Sequence, residues 1–406
     1  MGRLDLVFGK APRRGKRAQV LNATRNFKMA TSAHAYVRGN TTQFYEWLSS
    51  IAPTSFPHGP AIWICGDCHV GNLGPLADTQ GRVEMGIRDF DQTVIGNPAH
   101  DLMRLGLSLA MAARGSDLPG VVTAKMMEGL AEEYAKEFGP RPRELPPAPA
   151  SIARALKDAK RRSWRHLAAE RIEGETRRFP MGKQFWPLSR EERDAIGALF
   201  ATEELKALAT RLGYRKDDAE VGVMDCAFWR KGCSSLGLLR YAVLLDVGGR
   251  ASRGRDLCLF DIKEATRPLA PHYDDAGMPR DHAERVVMGA CHLSPYLGER
   301  MAHARLLGSS VFVRELLPND IKIELERVDT DEALQVARYL ARVVGRAHAR
   351  QLARPERNAW RAELLRNRSK SIDAPSWLWS GVVELVAIHE RAYLDHCRRY
   401  ALRAAA

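Results

Sequence analysis

The chain changes character twice along its length, and this alternation limits its fold more than any other feature. Residues 27–219 carry apolar side chains mainly at helical spacing, whereas residues 220–330 consist of short apolar runs separated by Gly-containing turns. Residues 331–406 return to helical spacing, and a basic arm, residues 1–26, precedes the first helical part. We therefore predict an α+β protein with two lobes, one mostly helical and one a smaller antiparallel β lobe.

Length and charge narrow the functional classes. The 406 residues exceed the ~250 to 300 at which a single core stops growing, which agrees with two lobes. Lys and Arg number 62 against 49 Asp and Glu, a net charge of +13. This excess predicts an acidic partner such as a nucleotide, a phosphorylated metabolite or a nucleic acid. The basic segment 154–165 is a candidate RNA surface, but such runs are usually solvated helix faces, so nucleic acid is not favoured.

The sequence also argues against several other classes. No apolar run reaches the ~18 residues that a membrane helix needs, so we predict no membrane contact and a cytoplasmic location. Among the 7 cysteines, only Cys65 and Cys68 form a CxxC pair, and no second pair follows at similar spacing. A disulfide framework and a structural zinc site are therefore not favoured.

The residues best suited to chemistry lie in the segment GDCHVGN, residues 66–72, and in the Asp-Phe-Asp that begins at Asp89. A kinase catalytic loop places an aspartate five positions before an asparagine, and Asp67 and Asn72 have this spacing. The aspartate faces the acceptor hydroxyl, while the amide helps to hold the metal. Asp89 follows a predicted strand and is placed to reach a divalent metal on nucleotide phosphates. The pattern indicates ATP-dependent phosphoryl transfer with Mg²⁺, or with Mn²⁺ in its place.

These motifs resemble the aminoglycoside phosphotransferase branch of the protein kinase-like superfamily, whose loop reads HGDxHxxN. Over most of the chain, from KMATSAHAYVRG through GDCHVGN to RYLARVVGRAHARQL, the sequence more closely resembles the bacterial family known as domain of unknown function 2252. The resemblance implies that Asp67 is the catalytic aspartate, that Asp101 braces the catalytic loop from a helix start, and that Arg38 lines the phosphate region. Cys65 departs from the pattern, because the phosphotransferases have His there.

The β-rich part is expected to supply a nucleotide clamp, which needs a Gly-rich hairpin and a lysine on the following strand. Lys263 lies at the end of a predicted strand, and Glu284 in the next helix is its best-placed glutamate, with Glu264 and Glu299 as alternatives. The candidate hairpin residues are small and lie between two predicted strands: Gly232, Ser234, Ser235 and Gly237.

The order of these parts is reversed relative to a kinase, because Lys263 follows Asp67 in the chain. We therefore predict a bilobal kinase-like fold with circularly permuted order, in which residues 188–220 join the original ends. Permutation is tolerated where chain ends lie close together at the surface. It requires the helix at residues 331–350 to lie beside the predicted strand 61–65, and Lys263 to lie close to Asp89.

Other interpretations of the same residues stay open. Asp67 and His69 have the spacing that begins a metallophosphoesterase site, but the later Asp, Asn and His motifs of that class are absent. His69 is better explained as a hydrogen-bond partner that shapes the loop, and Asp91 either as a second metal contact or as a turn acceptor. A kinase-like fold is also compatible with adenylyl transfer, or with nucleotide or RNA binding without turnover.

Overall fold

The computed structural model describes residue 12 and residues 14–141, 144–172, 177–231, 237–248, 257–323, 328–366 and 375–400. Its helices, numbered in chain order, are α1 (Arg17–Met29), α2 (Ala33–Gly39), α3 (Thr41–Ser50), α4 (Ala99–Gly115), α5 (Gly120–Lys136), α6 (Ala150–Arg161), α7 (Trp164–Arg171), α8 (Arg190–Phe200), α9 (Glu203–Thr210), α10 (His282–Leu293), α11 (Pro295–Gly298), α12 (Thr330–Ala349), α13 (Arg354–Arg366) and α14 (Ser376–Tyr400). None of these helices is both long and apolar enough to cross a membrane.

The strands form one large and two small antiparallel sheets. They are β1 (Ile62–Ile64), β2 (Leu73–Ala77), β3 (Val83–Ile87), β4 (Val94–Gly96), β5 (Phe185–Trp186), β6 (Val221–Trp229), β7 (Arg240–Val247), β8 (Leu257–Glu264), β9 (Met301–Leu306) and β10 (Ser309–Leu316). The large sheet has six strands in the order β5-β6-β7-β8-β10-β9, and the small sheets pair β1 with β4 and β2 with β3. The predicted α+β class with antiparallel sheets is confirmed.

The largest core is helical and surrounds α4. This helix begins at Ala99, whose N–H donates to Asn97 Oδ1 at 3.0 Å, and it is buried along nearly its whole length. Helix α12 packs on α5 in the same core, to which the buried strand β1 also belongs. Because the apolar side chains of α4 and β1 pack in one core, the first turn of α4 lies directly behind the segment that follows β1.

The large sheet has a core on each face. On one face, α8 and α9 pack against the strands, and Phe200 meets Phe260 edge to face at 5.3 Å between ring centroids. On the other face, Leu167 of α7 joins a smaller cluster with Trp229. Residues 188–220, expected to join the original ends, therefore contain two helices that cover the sheet.

The end of α12 lies beside β1, where the sequence predicted it. Trp63 N–H donates to Gln351 Oε1 at 2.9 Å, and Gln351 Nε2 donates to the Trp63 carbonyl at 3.0 Å. Residues separated by 288 positions thus pair through the backbone of a three-residue strand. This contact joins β1, and the segment that follows it, to the C-terminal helices.

Candidate functional site

The segment after β1 is held from behind by Asp101, in the first turn of α4. Its carboxylate accepts hydrogen bonds from Cys65 N–H at 2.7 Å and Gly66 N–H at 2.9 Å. Gly66 has φ +74°, and a Cβ there would lie 2.1 Å from the Gln92 carbonyl oxygen, so only glycine fits this turn. Asp101 therefore occupies the bracing position that the family resemblance implies.

A buried polar chain continues behind Asp101. His348 Nε2 lies 3.1 Å from Asp101 Oδ2, and His348 Nδ1 lies 2.8 Å from Tyr134 Oη. Trp360 Nε1 then donates to Tyr134 Oη at 3.4 Å. Buried polar groups need such partners, since an unpaired one costs about 1–3 kcal/mol. Sequence analysis did not single out His348, although it lies in the RAHARQ stretch of the helix expected beside β1.

Asp67 is fixed by a buried cation that sequence analysis also missed. Arg104 Nε donates to Asp67 Oδ1 at 2.8 Å, and Thr41 Oγ1 donates to Asp67 Oδ2 at 3.0 Å. Arg104 is fully buried, and the Asp67 side chain is 10% exposed. Asn72 Nδ2 donates to the backbone carbonyl of Asp67 at 3.0 Å, so the two motif residues share one turn.

His69 lies beside Asp67 without forming a close ion pair. Its Nε2 is 3.9 Å from Asp67 Oδ2. Burial, and then the charge of Arg104, lowers the pKa of His69 well below its ordinary value. The buried Nδ1 of His69 has no hydrogen-bond partner among the described residues, so the side-chain hydrogen bond predicted for this residue is not seen.

Lys263 lies between two carboxylates at the end of β8. Its Nζ is 3.5 Å from Asp89 Oδ1 and donates a hydrogen bond to Asp91 Oδ2. These three residues, which we call the carboxylate cluster, bring together chain segments 174 positions apart. The Lys263 side chain is only 5% exposed, whereas those of Asp89 and Asp91 are 38% and 23% exposed.

The two carboxylates of the cluster differ in their electrostatics. Burial alone would raise the pKa of Asp89, but Lys263 and then Arg314 outweigh it and hold that pKa well below its ordinary value. Burial and the charge of Asp89 raise the pKa of Asp91 above its ordinary value, although Lys263 opposes this. Asp89 is therefore the stable anion of the pair, and Asp91 is the one that accepts a proton first.

Helix α10 supplies an arginine to this region. Arg285, 1% exposed, donates to the backbone carbonyls of Asp91 and Thr266, each at 3.0 Å, and to that of Thr93. Glu284, the expected partner of Lys263, is half-buried, and its N–H is capped by Asp281 Oδ1 at 3.1 Å. In the described part of the chain, the ion-pair partners of Lys263 are Asp89 and Asp91. Glu284 therefore does not form the ion pair with Lys263 that was expected.

Comparison with protein families assigns the chain. A family model described as an uncharacterized protein conserved in bacteria, DUF2252, matches residues 17–399. The chain belongs to the DUF2252 family. No curated protein matches it, and no solved structure matches it. The resemblance to DUF2252 found in the sequence is confirmed, and function must be inferred from the geometry of the site.

Cys65 of this DUF2252 chain, the position at which the sequence departs from the HGDxHxxN pattern, contacts both neighbouring segments. Its N–H is held by Asp101, and its Sγ donates to the Asp89 carbonyl at 3.4 Å. Burial and the neighbouring Cys68 keep the thiol protonated, since the hydrogen bond to Cys68 and then burial raise the pKa of Cys65 well above its ordinary value. The thiol thus connects the segment that contains Asp67 to the segment that contains Asp89.

Only one of the four predicted hairpin residues can be placed. Gly232, Ser234 and Ser235 lie outside the described residues, whereas Gly237 is described and has φ +115°. This conformation favours glycine, and a Cβ there would lie 3.1 Å from Asn22 Oδ1. The next residue, Leu238, lines the cavity beside Asp67.

That cavity has a volume of about 100 Å³, and four of the predicted site residues line it: Asp67, Asn72, Asp89 and Asp91. Its lining residues are Thr41, Asp67, Asn72, Asp89, Asp91, Gln92, Leu238, Glu264, Ala265 and Thr266. Arg38 lies just outside it, with its guanidinium carbon 2.7 Å from where a Cβ on Gly71 would be. Gly71 thus permits an arginine to approach the turn that carries Asn72.

The site offers oxygen ligands for a divalent cation. Within the described ranges, no group of three or more His, Cys, Asp and Glu residues is arranged to hold a metal by itself. Mg²⁺, however, is usually bound through one or two carboxylates together with substrate phosphates. Asp89 supplies such a carboxylate, and Asn72, whose amide oxygen is a further potential ligand, lines the same cavity.

Proposed function

We propose that the chain is an ATP- and Mg²⁺-dependent phosphotransferase that acts on a hydroxyl group of an acceptor still to be identified. The observation that carries the proposal is the meeting of Lys263 with Asp89 and Asp91 beside Asp67 and Asn72. Distant segments thus bring oxygen ligands and an acceptor-facing carboxylate to one small cavity, and a lysine contacts two of the carboxylates that line it. Phosphoryl transfer needs little more than this, because positioning and charge stabilisation provide most of its catalysis.

The order of elements supports a kinase-like fold with permuted chain order. A kinase carries its lysine on the third strand after the chain enters the β lobe, and a helix follows. Here β6, β7 and β8 are consecutive antiparallel strands, Lys263 lies on the third, and α10 follows. The chain then passes through β9 and β10 to α12, which ends beside β1. This is the predicted succession after the original ends have been joined.

Each residue has a role that its contacts favour. Asp67, held by Arg104 and Thr41, is oriented to accept the proton of the acceptor hydroxyl. Asn72 and Asp89 would hold Mg²⁺, or Mn²⁺, which when bound neutralises charge on the transferring phosphates. Arg38, which has no carboxylate partner among the described residues, is available to the same phosphates.

Lys263 has a second role that follows from its ion pairs. The Lys263 ammonium lies between the Asp89 and Asp91 carboxylates, which would otherwise repel each other. A divalent cation at Asp89 supplies the same compensation. The lysine is then free to pair with nucleotide phosphates, so that metal and nucleotide binding are coupled.

The variant Asp67→Asn tests the proposal. We expect loss of ATP consumption by about 10²- to 10⁴-fold, because the proton acceptor is removed. ATP affinity, measured by calorimetry with Mg²⁺, should change little, whereas Lys263→Met should weaken it. Asp217→Asn, in an exposed loop, is the matched control. ATP consumption at the native rate by the Asp67→Asn protein would exclude Asp67 as the catalytic residue.

Two of the alternatives are separated by simple measurements. Phosphoryl transfer adds about 80 daltons to the acceptor and adenylyl transfer about 329, so product mass distinguishes the two transferase chemistries. Binding of ATP with no product would favour a non-catalytic nucleotide-binding protein. An RNA complex would weaken steeply as salt is raised.

A further inference from the structure

A second cavity lies next to the carboxylate cluster, and its polar lining is mostly basic. We call it the connector cavity, because residues 317–322, which link the large sheet to the helical core, form one wall. Its volume is about 350 Å³. Six of its lining side chains are basic: Arg88, Arg162, Arg171, Lys231, Arg314 and Lys322.

The two acidic residues that line the cavity, Glu170 and Asp320, already pair with arginines. Glu170 forms ion pairs with Arg162 and, at 3.8 Å, with Arg171. The Asp320 carboxylate accepts hydrogen bonds at 2.9 and 3.0 Å from Arg300, which does not line the cavity. Among the described residues, Arg88, Lys231 and Lys322 therefore have no carboxylate partner.

Several donors in the cavity lack partners as well. Arg88 donates from Nη2 to the Asp320 carbonyl at 2.8 Å, but its buried Nε has no partner in the described chain. The same holds for Nε of Arg314, whose Nη2 shares Asp261 with Arg240. Lys231 Nζ lies 4.2 Å from the centroid of the Trp229 ring. Burial, and then the charge of Arg240, lowers the pKa of Lys231 well below its ordinary value.

Crowding like charges into a partly enclosed space is unfavourable unless an anion binds there. Guanidinium groups present paired N–H donors that match phosphate oxygens, and ammonium groups add point charges. The cavity falls within the size range of small-molecule pockets, of about 300 to 1,000 Å³. We propose that the connector cavity binds the polyphosphate group of a small molecule.

The cavity shares a wall with the carboxylate cluster. Arg88 directly precedes Asp89, and Arg314 Nη1 donates to the Arg88 carbonyl at 3.1 Å. One source of the polyphosphate, which rests on the proposed function, is therefore the nucleotide itself, with its β- and γ-phosphates in the cavity. The other source is a separate phosphorylated molecule that binds beside the nucleotide.

The first source has a chemical consequence. With the outer phosphates in the connector cavity, the α-phosphate would be the one nearest Asp89 and Asp67. The acceptor oxygen would then bond to the α-phosphorus, the bond from that phosphorus to the bridging oxygen would break, and pyrophosphate would leave. The hydroxyl proton would pass to Asp67, and the product would be adenylylated, so this source keeps the nucleotide binding of the proposed function but replaces its phosphoryl transfer by adenylyl transfer.

The binding test uses inorganic triphosphate and isothermal titration calorimetry without divalent metal. We expect saturable binding that Lys322→Glu and Lys231→Gln each weaken by about tenfold, since each removes a charge-assisted contact. Lys322 is exposed, so its replacement should leave the fold intact, which thermal denaturation checks. Lys125→Glu, an exposed site on α5, controls for the change in net charge. No binding, or equal weakening by Lys125→Glu, would overturn the proposal.

Competition with ATP then identifies the source. If triphosphate displaces Mg²⁺-ATP and adenosine does not displace triphosphate, the nucleotide's own phosphates occupy the cavity. If both bind together, a second phosphorylated molecule is the ligand. If the native chain binds triphosphate but does not turn over ATP, only the proposed function is refuted. ATP turnover without triphosphate binding would refute only the connector cavity.

Discussion

Asp101 and the carboxylate cluster are two aspartate sites that differ in nearly every physical respect. Asp101 is 1% exposed and is surrounded by backbone N–H groups and His348, all of them directed at its carboxylate. In the carboxylate cluster, Asp89 and Asp91 are partly exposed and share one lysine. The carboxylate of the first site is already surrounded by donors, whereas we propose that the second exchanges its lysine for a metal ion. Burial of a charge with many fixed donors thus indicates scaffolding, and shared, partly exposed charge indicates binding.

The largest effect is expected at the scaffolding site. Asp101→Ala would leave two buried N–H groups and His348 without their acceptor, and we expect a loss of about 3–5 kcal/mol in the free energy of unfolding. Urea denaturation measures it. Asp217→Ala, in an exposed loop, should change the same quantity by less than about 0.5 kcal/mol. An Asp101→Ala protein as stable as this control would show that Asp101 is not a brace.

An intermediate effect is expected at Asp67, which combines features of both sites. Arg104→Met would leave the Asp67 carboxylate buried without its cation, at a cost of about 3 kcal/mol. Adding Asp67→Asn should restore part of that stability, because a neutral amide needs no counterion. A double-mutant cycle by chemical denaturation gives the coupling. Strictly additive losses would mean that the contact between the two side chains contributes nothing.

The smallest effect is expected at the carboxylate cluster, and it should depend on pH. Lys263→Met removes the cation between two partly exposed carboxylates, so a loss of only about 1 kcal/mol is expected near neutral pH. Because the folded-state pKa of Asp91 is raised, its ionised form costs stability above that pKa and its protonation relieves the cost as pH falls. The loss caused by Lys263→Met should therefore be greater at about pH 8 than at about pH 5.

The matched control for this pH dependence is Asp91→Asn in the Lys263→Met background. An amide does not titrate in this range, so the difference in stability loss between the two pH values should largely disappear. In the native chain, Lys263 and then Arg314 lower the pKa of Asp89, so the stability that Asp89 contributes is present at both pH values; in the double variant Arg314 remains to oppose a rise of that pKa. A pH dependence that survives in the double variant would assign the effect to another group.

Local sequence patterns predicted the features whose geometry is set within a short segment. The five-residue spacing from Asp67 to Asn72 places both in one turn, and helical spacing around Val344 predicted α12. The two-part α+β organisation followed from the change in apolar periodicity. In these cases the physical cause, a turn or an amphipathic face, is contained in adjacent residues.

Features that depend on how helices are rotated could not be predicted in the same way. Consecutive helical residues point about 100° apart, so choosing Glu284 rather than Arg285 as the inward residue of α10 requires knowledge of its packing. Arg104 resembles any arginine of an amphipathic helix until α4 is placed against Asp67. Residues 188–220 have helical spacing, but nothing in them indicates which face of the sheet they cover.

The pairing of Gln351 with Trp63 has a consequence for synthesis of the protein. The ribosome releases β1 early, but Gln351, the partner of Trp63 in this strand, follows 288 residues later. At about 5 to 20 residues per second, the nascent strand waits roughly 15 to 60 s with its edge open. During translation it must therefore be shielded by α4 and the neighbouring N-terminal helices, or by a chaperone, until the last helices emerge from the exit tunnel.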